Sequence, residues 1–151
     1  MLDVVGRFAN TSAASLPIAL AAAQRAGRLE EFVAMMCLPE SDGDAEDSWL
    51  LWLDLWAQSP RNPAVAAIRQ KIDERWRETI RSLVLTGQEA GEFAAVDADD
   101  FAVALSALLY GFVVPIALED PEVGPAQAFE LSMQFASGRL GVARDGRRAS
   151  S

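Results

Sequence analysis

The sequence contains no histidine and a single cysteine, Cys37. Without imidazole, neither Ser-His-Asp nor Cys-His catalysis is available, and the commonest nitrogen ligand for a metal is missing too. One thiol cannot close an intramolecular disulfide, so a reduced, cytoplasmic setting is the default expectation. Neither G-x-G-x-x-G nor G-x-x-x-x-G-K-[ST] occurs, and no nucleotide or other cofactor is expected. No segment is expected to cross a membrane, which takes roughly 18 uncharged apolar residues, and the start, Met1-Leu2-Asp3, lacks the basic stretch of a signal peptide. Period-two alternation is absent as well, so no strand is expected.

Basic residues are scarce. The chain carries 13 Lys and Arg against 22 Asp and Glu, a net charge of −9. Four of those arginines (Arg139, Arg144, Arg147, Arg148) and one acid (Asp145) fall in residues 139–151, so the remainder holds 9 basic and 21 acidic side chains, a net −12. Such a body repels phosphate backbones, which proteins grip through Lys and Arg. Nucleic-acid binding by this chain alone is not expected.

What is present is apolar and helical. Of 151 residues, 51% are hydrophobic and 23% charged, a globular composition with enough chain for one core. Ser15 and Pro17 read as a helix start, and Ala-rich sequence follows to Gly27. Leu29, Phe32, Val33 and Met36 then share one helical face that ends before Pro39. Residues 40–48 combine turn formers with acids and read as a solvated loop ahead of a helix from Trp49. That helix is expected to be buried nearly all round, because Trp49, Trp52 and Trp56 share a face while Leu51 and Leu55 cover another. Asn62-Pro63 opens a long helix toward Gly87 or Gly91, with Val65, Ile68, Ile72, Trp76, Ile80 and Leu83 inward. Its opposite face, Arg69, Asp73, Arg77 and Arg81, is expected to look at water, with Asp73 and Arg77 paired at i, i+4. Asp97 caps a fourth helix to about Leu118, striped by Phe101, Leu105, Leu108, Phe112 and Ile116. Gly124-Pro125 opens a fifth, striped by Ala128, Leu131 and Phe135 and closed by Gly138. The expected fold is an all-α antiparallel bundle of about five or six helices. Residues 1–14 stay unassigned, 15–140 form the domain, and 141–151 are a frayed tail.

Residues that could carry chemistry are few. Asp42, Asp44, Glu46 and Asp47 begin like an EF-hand, but the sixth and twelfth positions of such a loop hold Asp47 and Leu53 instead of Gly and Glu, so no metal is expected. Cys37 has no basic neighbour to lower its pKa and reads as a small buried hydrophobe. Asp54, the one charge between Trp49 and Ala57, either reaches solvent or lines a cavity and pairs with a ligand or Arg75. Acid–base catalysis by Asp54 and Glu89 would need the two carboxyls placed together, and their spacing gives no reason for that. The four tryptophans, Trp49, Trp52, Trp56 and Trp76, fit a solid core or an apolar pocket. Cationic guests would gain from the indole faces and neutral aromatic ones from area alone.

The order and spacing of Trp49 to Ala57, Pro60-Arg61-Asn62-Pro63, Trp76, Gly91-Glu92-Phe93 and Ala107-Leu108-Leu109-Tyr110-Gly111 resemble the C-terminal effector-binding domain of TetR-family transcription regulators, over about residues 16–140. The resemblance implies a homodimer through the last two helices, at Ala107, Leu108, Leu109, Gly111, Phe112, Ala128, Leu131 and Phe135. It also implies an effector cavity among the middle helices, near Met36, Trp49, Trp52, Trp56, Trp76 and Phe101, for an apolar or cationic aromatic small molecule. The family's helix-turn-helix head has no counterpart here. The expected function is therefore small-molecule sensing and dimerisation without a DNA-binding head of its own, either as a truncated regulator or as a stand-alone domain. A non-enzymatic helical interaction protein with no ligand pocket is the alternative.

Overall fold

The computed structural model describes residues 29–38 and 44–142, with the side chains of the second segment from Trp49 onward. The expectations for residues 1–14, for the stretch from Ser15 to Gly27, for the side chains of Asp42, Asp44, Glu46 and Asp47, and for the tail beyond Val142 lie outside these residues. Five helices account for the described chain: α1 (Leu29–Cys37), α2 (Asp44–Gln58), α3 (Pro63–Glu89), α4 (Ala98–Ala117) and α5 (Pro125–Leu140). The all-α reading holds, and the described residues contain no strand.

Three helices, α3, α4 and α5, start where the backbone is offered a partner or a constraint. The Asn62 side chain accepts from the N–H groups of Ala64 (3.1 Å) and Val65 (3.4 Å), and Pro63 fixes the first turn of α3. Asp97 caps α4 by accepting from Asp100 N–H at 2.9 Å. Pro125 opens α5, which closes at Gly141 in the left-handed conformation (φ 67°), a conformation that glycine adopts without a Cβ penalty.

Among the described helices α4 touches all four others, and this decides its composition. Ala98, Phe101, Ala102, Leu105, Ser106, Leu109 and Val113 are its buried residues. The inward stripe therefore runs through Leu109 and Val113, whereas Leu108 and Phe112, expected there, are only half-buried. At about 1.5–3 kcal/mol per fully buried large apolar side chain, Phe101 and Leu105 alone anchor the helix strongly. By length and composition α4 is apolar enough to cross a membrane, contrary to the expectation that no segment would qualify. About 33% of that stretch is buried, on a face shared with the other helices.

Several boundaries and faces differ from expectation. α2 begins at Asp44 rather than Trp49, since acids suit the positive end of a helix as readily as a loop. It is not buried all round: Leu50 and Asp54 are exposed, so Asp54 takes its solvent reading. α5 passes Gly138 and continues to Leu140, whose side chain is buried and whose carbonyl accepts from Ala94 N–H at 2.8 Å. Its inward stripe is Ala128, Ser132, Ala136 and Leu140, which leaves Leu131 exposed. α1 buries Leu29, Phe32, Val33 and Met36 as expected, with Cys37. Burial raises the Cys37 thiol above its ordinary pKa, against a smaller lowering effect of the nearby Ser132 hydroxyl, which keeps it a packed thiol.

The connection from α3 to α4 is tied closely to the core. Gly91 takes the left-handed conformation (φ 72°), and Gln88 Nε2 donates to the carbonyls of Ala94 and Val96, both at 2.9 Å. The Phe93 ring lies directly on Gly87, where a Cβ would come within 2.1 Å of it. These contacts give the Gly91-Glu92-Phe93 segment its structural meaning.

Candidate functional site

Two tryptophans one turn apart, a tyrosine from a second helix and a buried carboxylate from a third meet at the junction of α2, α3 and α4. Trp52 and Trp56 sit four residues apart on α2, with ring centroids 6.0 Å apart at 62°. Tyr110 of α4 completes the group, 5.3 Å from Trp56 at 76° and 6.2 Å from Trp52 at 41°. Edge-to-face contacts of this kind satisfy the ring quadrupoles and leave neighbouring faces electron-rich.

Asp73 lies beneath the rings. Its side chain is 9% exposed, Tyr110 Oη donates to its Oδ1 at 2.9 Å, and Arg69 Nη1 donates to its Oδ2. Arg69 Nε also donates to Ser59 Oγ at 3.0 Å, across the corner between α2 and α3. This corrects the expectation of a watery α3 face. Asp73 is buried because α4 brings Tyr110 over it, its carboxylate partner is Arg69, and Arg77 instead donates to the Asp73 backbone carbonyl at 3.2 Å. A buried carboxylate needs such compensation. Burial, then the charge of Asp73 and the hydrogen bond to it, raise the Tyr110 pKa far above the usual tyrosine value, so the phenol stays a donor.

An open cleft of about 490 Å3 runs along this group, walled by Trp56, Ser59, Pro60, Ala66, Arg69, Asp73 and Tyr110. The Pro60-Arg61-Asn62-Pro63 corner forms one rim, held by the N–H groups of Arg61 and Asn62 donating to Gln58 O at 3.0 and 3.1 Å. Electron-rich rings and one carboxylate suit a small organic cation, each cation–π contact adding about 0.5–2 kcal/mol. Nothing in the cleft activates a nucleophile. Asp54 and Glu89 are both exposed, and no group of three His, Cys, Asp or Glu that could hold a metal occurs among the described residues.

Of the six residues expected around an effector, only Trp56 lines the cleft, and Trp52 is buried in the core with its ring against those of Trp56 and Tyr110. Trp49 is half-buried on the same helix and packs against the core. Trp76 is buried against Phe32 of α1, centroids 5.0 Å apart, and Met36 lies in the same core. Phe101 is fully buried and stacks on Phe135 at 6.0 Å between α4 and α5. Sequence reasoning missed Asp73, Arg69 and, as a site residue, Tyr110. Of the residues expected at a dimer interface, Ala107, Gly111 and Leu131 are exposed, whereas Leu108, Phe112 and Phe135 are half-buried. Leu109 and Ala128 are buried in the chain's own core, which removes them from its outer surface.

Residues 21–141 match the family described as BetI-type transcriptional repressor, C-terminal. No curated protein matches the sequence. Among solved structures, the chain is similar to a transcriptional regulator from Saccharomonospora viridis in complex with choline, at 25% identity and a TM-score of 0.66, over 85% of this chain and 75% of that one. The chain belongs to the BetI-type transcriptional repressor C-terminal family, an all-helical regulatory domain of TetR-type regulators.

Proposed function

We propose that this regulatory domain senses a small organic cation with a quaternary ammonium head, bound in the cleft of Trp56, Tyr110 and Asp73. The carrying observation is that the Trp56 and Tyr110 rings and the buried Asp73 carboxylate share the wall of one cleft. Aromatic cages recognise quaternary ammonium groups because such ions are weakly hydrated and need no hydrogen-bond acceptor. The choline in the related regulator supports this class of guest. The reading narrows the expected apolar or cationic aromatic effector to a cation.

Signalling through a homodimer belongs to the same proposal. Val103, Ala107, Gly111, Val114 and Leu118 recur at helical spacing along the outer side of α4, all exposed, with Leu131 of α5 exposed too. Monomers rarely leave such an apolar stripe to water, and the small Ala107 and Gly111 allow a close approach of two helices. The domain is taken to act in the cytoplasm, without nucleic-acid contact by these acidic residues.

Intrinsic tryptophan fluorescence tests the ligand reading. Titration with choline is expected to give a saturable change, and dimethylbutanol, its neutral carbon isostere, a response at least about tenfold weaker, since each 1.4 kcal/mol is tenfold. Trp56→Ala should weaken the choline response. Equal responses to the two compounds, or none to choline, would refute it.

A further inference from the structure

A cleft suited to cations already contains one. Arg69 holds Asp73 Oδ2 and is anchored on its other side by Ser59 Oγ at 3.0 Å. Its side chain is 31% exposed, against 9% for Asp73, so the guanidinium stands at the mouth and the carboxylate behind it. Both belong to the cleft wall with Trp56 and Tyr110. Tyr110 holds the other oxygen, Oδ1, and Arg77 reaches only the backbone carbonyl. The carboxylate charge available to a guest is therefore the part that Arg69 does not neutralise.

Resting on the quaternary-ammonium reading, we infer that Arg69 is a tethered competitor for Asp73, which sets the affinity of the cleft for cationic guests. A quaternary ammonium has no N–H and cannot replace the Tyr110 hydrogen bond, so that bond stays in place when a guest binds. What the guest gains from Asp73 is charge alone, and Arg69 offsets that gain at short range. Asp73 is buried and needs a compensating charge, and a cation in the cleft takes over that role from Arg69, whose own side chain is 31% exposed. Arg69 can thus swing toward solvent at modest cost, and this cost is subtracted from every cation that enters. Removing the charge of Arg69 should tighten binding, the opposite of what the loss of a contact residue does.

The test is fluorescence titration of the wild-type chain, Arg69→Gln, Asp73→Asn and the double variant with choline and with tetramethylammonium. Arg69→Gln is expected to bind both about three- to tenfold more tightly. In the Asp73→Asn background the same substitution should change little, because the competitor then has nothing to compete for. Should Arg69→Gln fail to unfold cooperatively, Ser59→Ala loosens the Arg69 anchor and leaves Asp73 intact; it should tighten binding by a smaller factor. Unchanged or weaker binding by Arg69→Gln, or by Ser59→Ala where that replaces it, while the wild type still binds overturns the competitor role and leaves the cleft reading standing. Equal tightening with and without Asp73 also overturns it. No saturable response from either the wild type or Arg69→Gln removes both.

Discussion

Replacing Tyr110 with phenylalanine removes one oxygen and separates the two roles assigned to this residue. The lost bond is a 2.9 Å O–H donation to Asp73 Oδ1, whose side chain is 9% exposed and has little access to compensating water. A hydrogen bond to a charged group contributes about 1.5–3 kcal/mol net, and leaving a buried acceptor unmet costs a similar amount. Arg69 still holds Oδ2, so the expected loss sits at the lower end, about 1.5–2 kcal/mol. For a domain of this size each kcal/mol moves the melting temperature by about 2–4 °C, which gives a fall of about 3–8 °C. Urea and thermal unfolding measure this at one fixed protein concentration, because a self-associating chain melts in a concentration-dependent way. The ring itself remains, 5.3 Å from Trp56, so choline affinity should change by less than about threefold. In the Asp73→Asn background the same substitution should cost clearly less, as expected of coupled partners. A Tyr110→Phe variant within about 0.5 kcal/mol of wild type would show that the buried carboxylate does not depend on the phenol.

Tyr110 is the only tyrosine in the chain, so the tyrosinate absorption band reports its ionisation alone. Because its folded pKa is raised above the usual value of about 10, stability is complete below that pH and declines as pH rises past it, when only the unfolded chain releases the proton. The band should appear together with unfolding, and its appearance in the folded protein near pH 10 would contradict this. Gly87→Ala puts a Cβ within 2.1 Å of the Phe93 ring. Overpacking of about 1–3 kcal/mol should outweigh a helix-propensity gain of about 1, lowering the urea midpoint, and a more stable variant would mean that Phe93 repacks freely. Val114→Glu, on the exposed side of α4, should leave the fold intact and shift sedimentation from dimer to monomer; a wild-type chain that sediments as a monomer at tens of micromolar removes the homodimer.

The helices were legible because their signals are local. Asn62-Pro63, Asp97 and Gly124-Pro125 each satisfy or remove backbone donors within one turn, and all three mark observed helix starts. Where the reading slipped, the deciding partner was distant in sequence. Leu108 and Leu109 are equally apolar, and only the packing of α4 against the other helices selects Leu109 for the core. Gly138 looks like a stop, yet α5 continues because Leu140 finds a buried place and an acceptor role for its carbonyl beside Ala94. A glycine in a helix costs about 1 kcal/mol, less than burying a leucine contributes, so the tertiary contact wins.

The cleft shows the same limit more sharply. Trp52 and Trp56 could be grouped from their i, i+4 spacing, but Asp73 and Tyr110 are 37 positions apart and meet only because α3 and α4 pack closely. On α3 alone, Asp73 belongs to a row with Arg69 and Arg77 that reads as a solvated charged face. One signal was available. Asp73 is three residues before Trp76, hence on the edge of the apolar stripe, and a carboxylate at such an edge is covered whenever the neighbouring helix brings a donor to it. Tyr110, the one hydroxyl-bearing aromatic on an otherwise apolar helix, is that donor, since a buried phenol seeks a partner as surely as a buried carboxylate does. An acid on the edge of one apolar stripe and a lone tyrosine on the next helix are thus candidates for a pair, even where the acid also has a partner on its own helix. In this chain that pair is Asp73 and Tyr110, and Arg69, one turn before Asp73, follows as its i, i+4 partner.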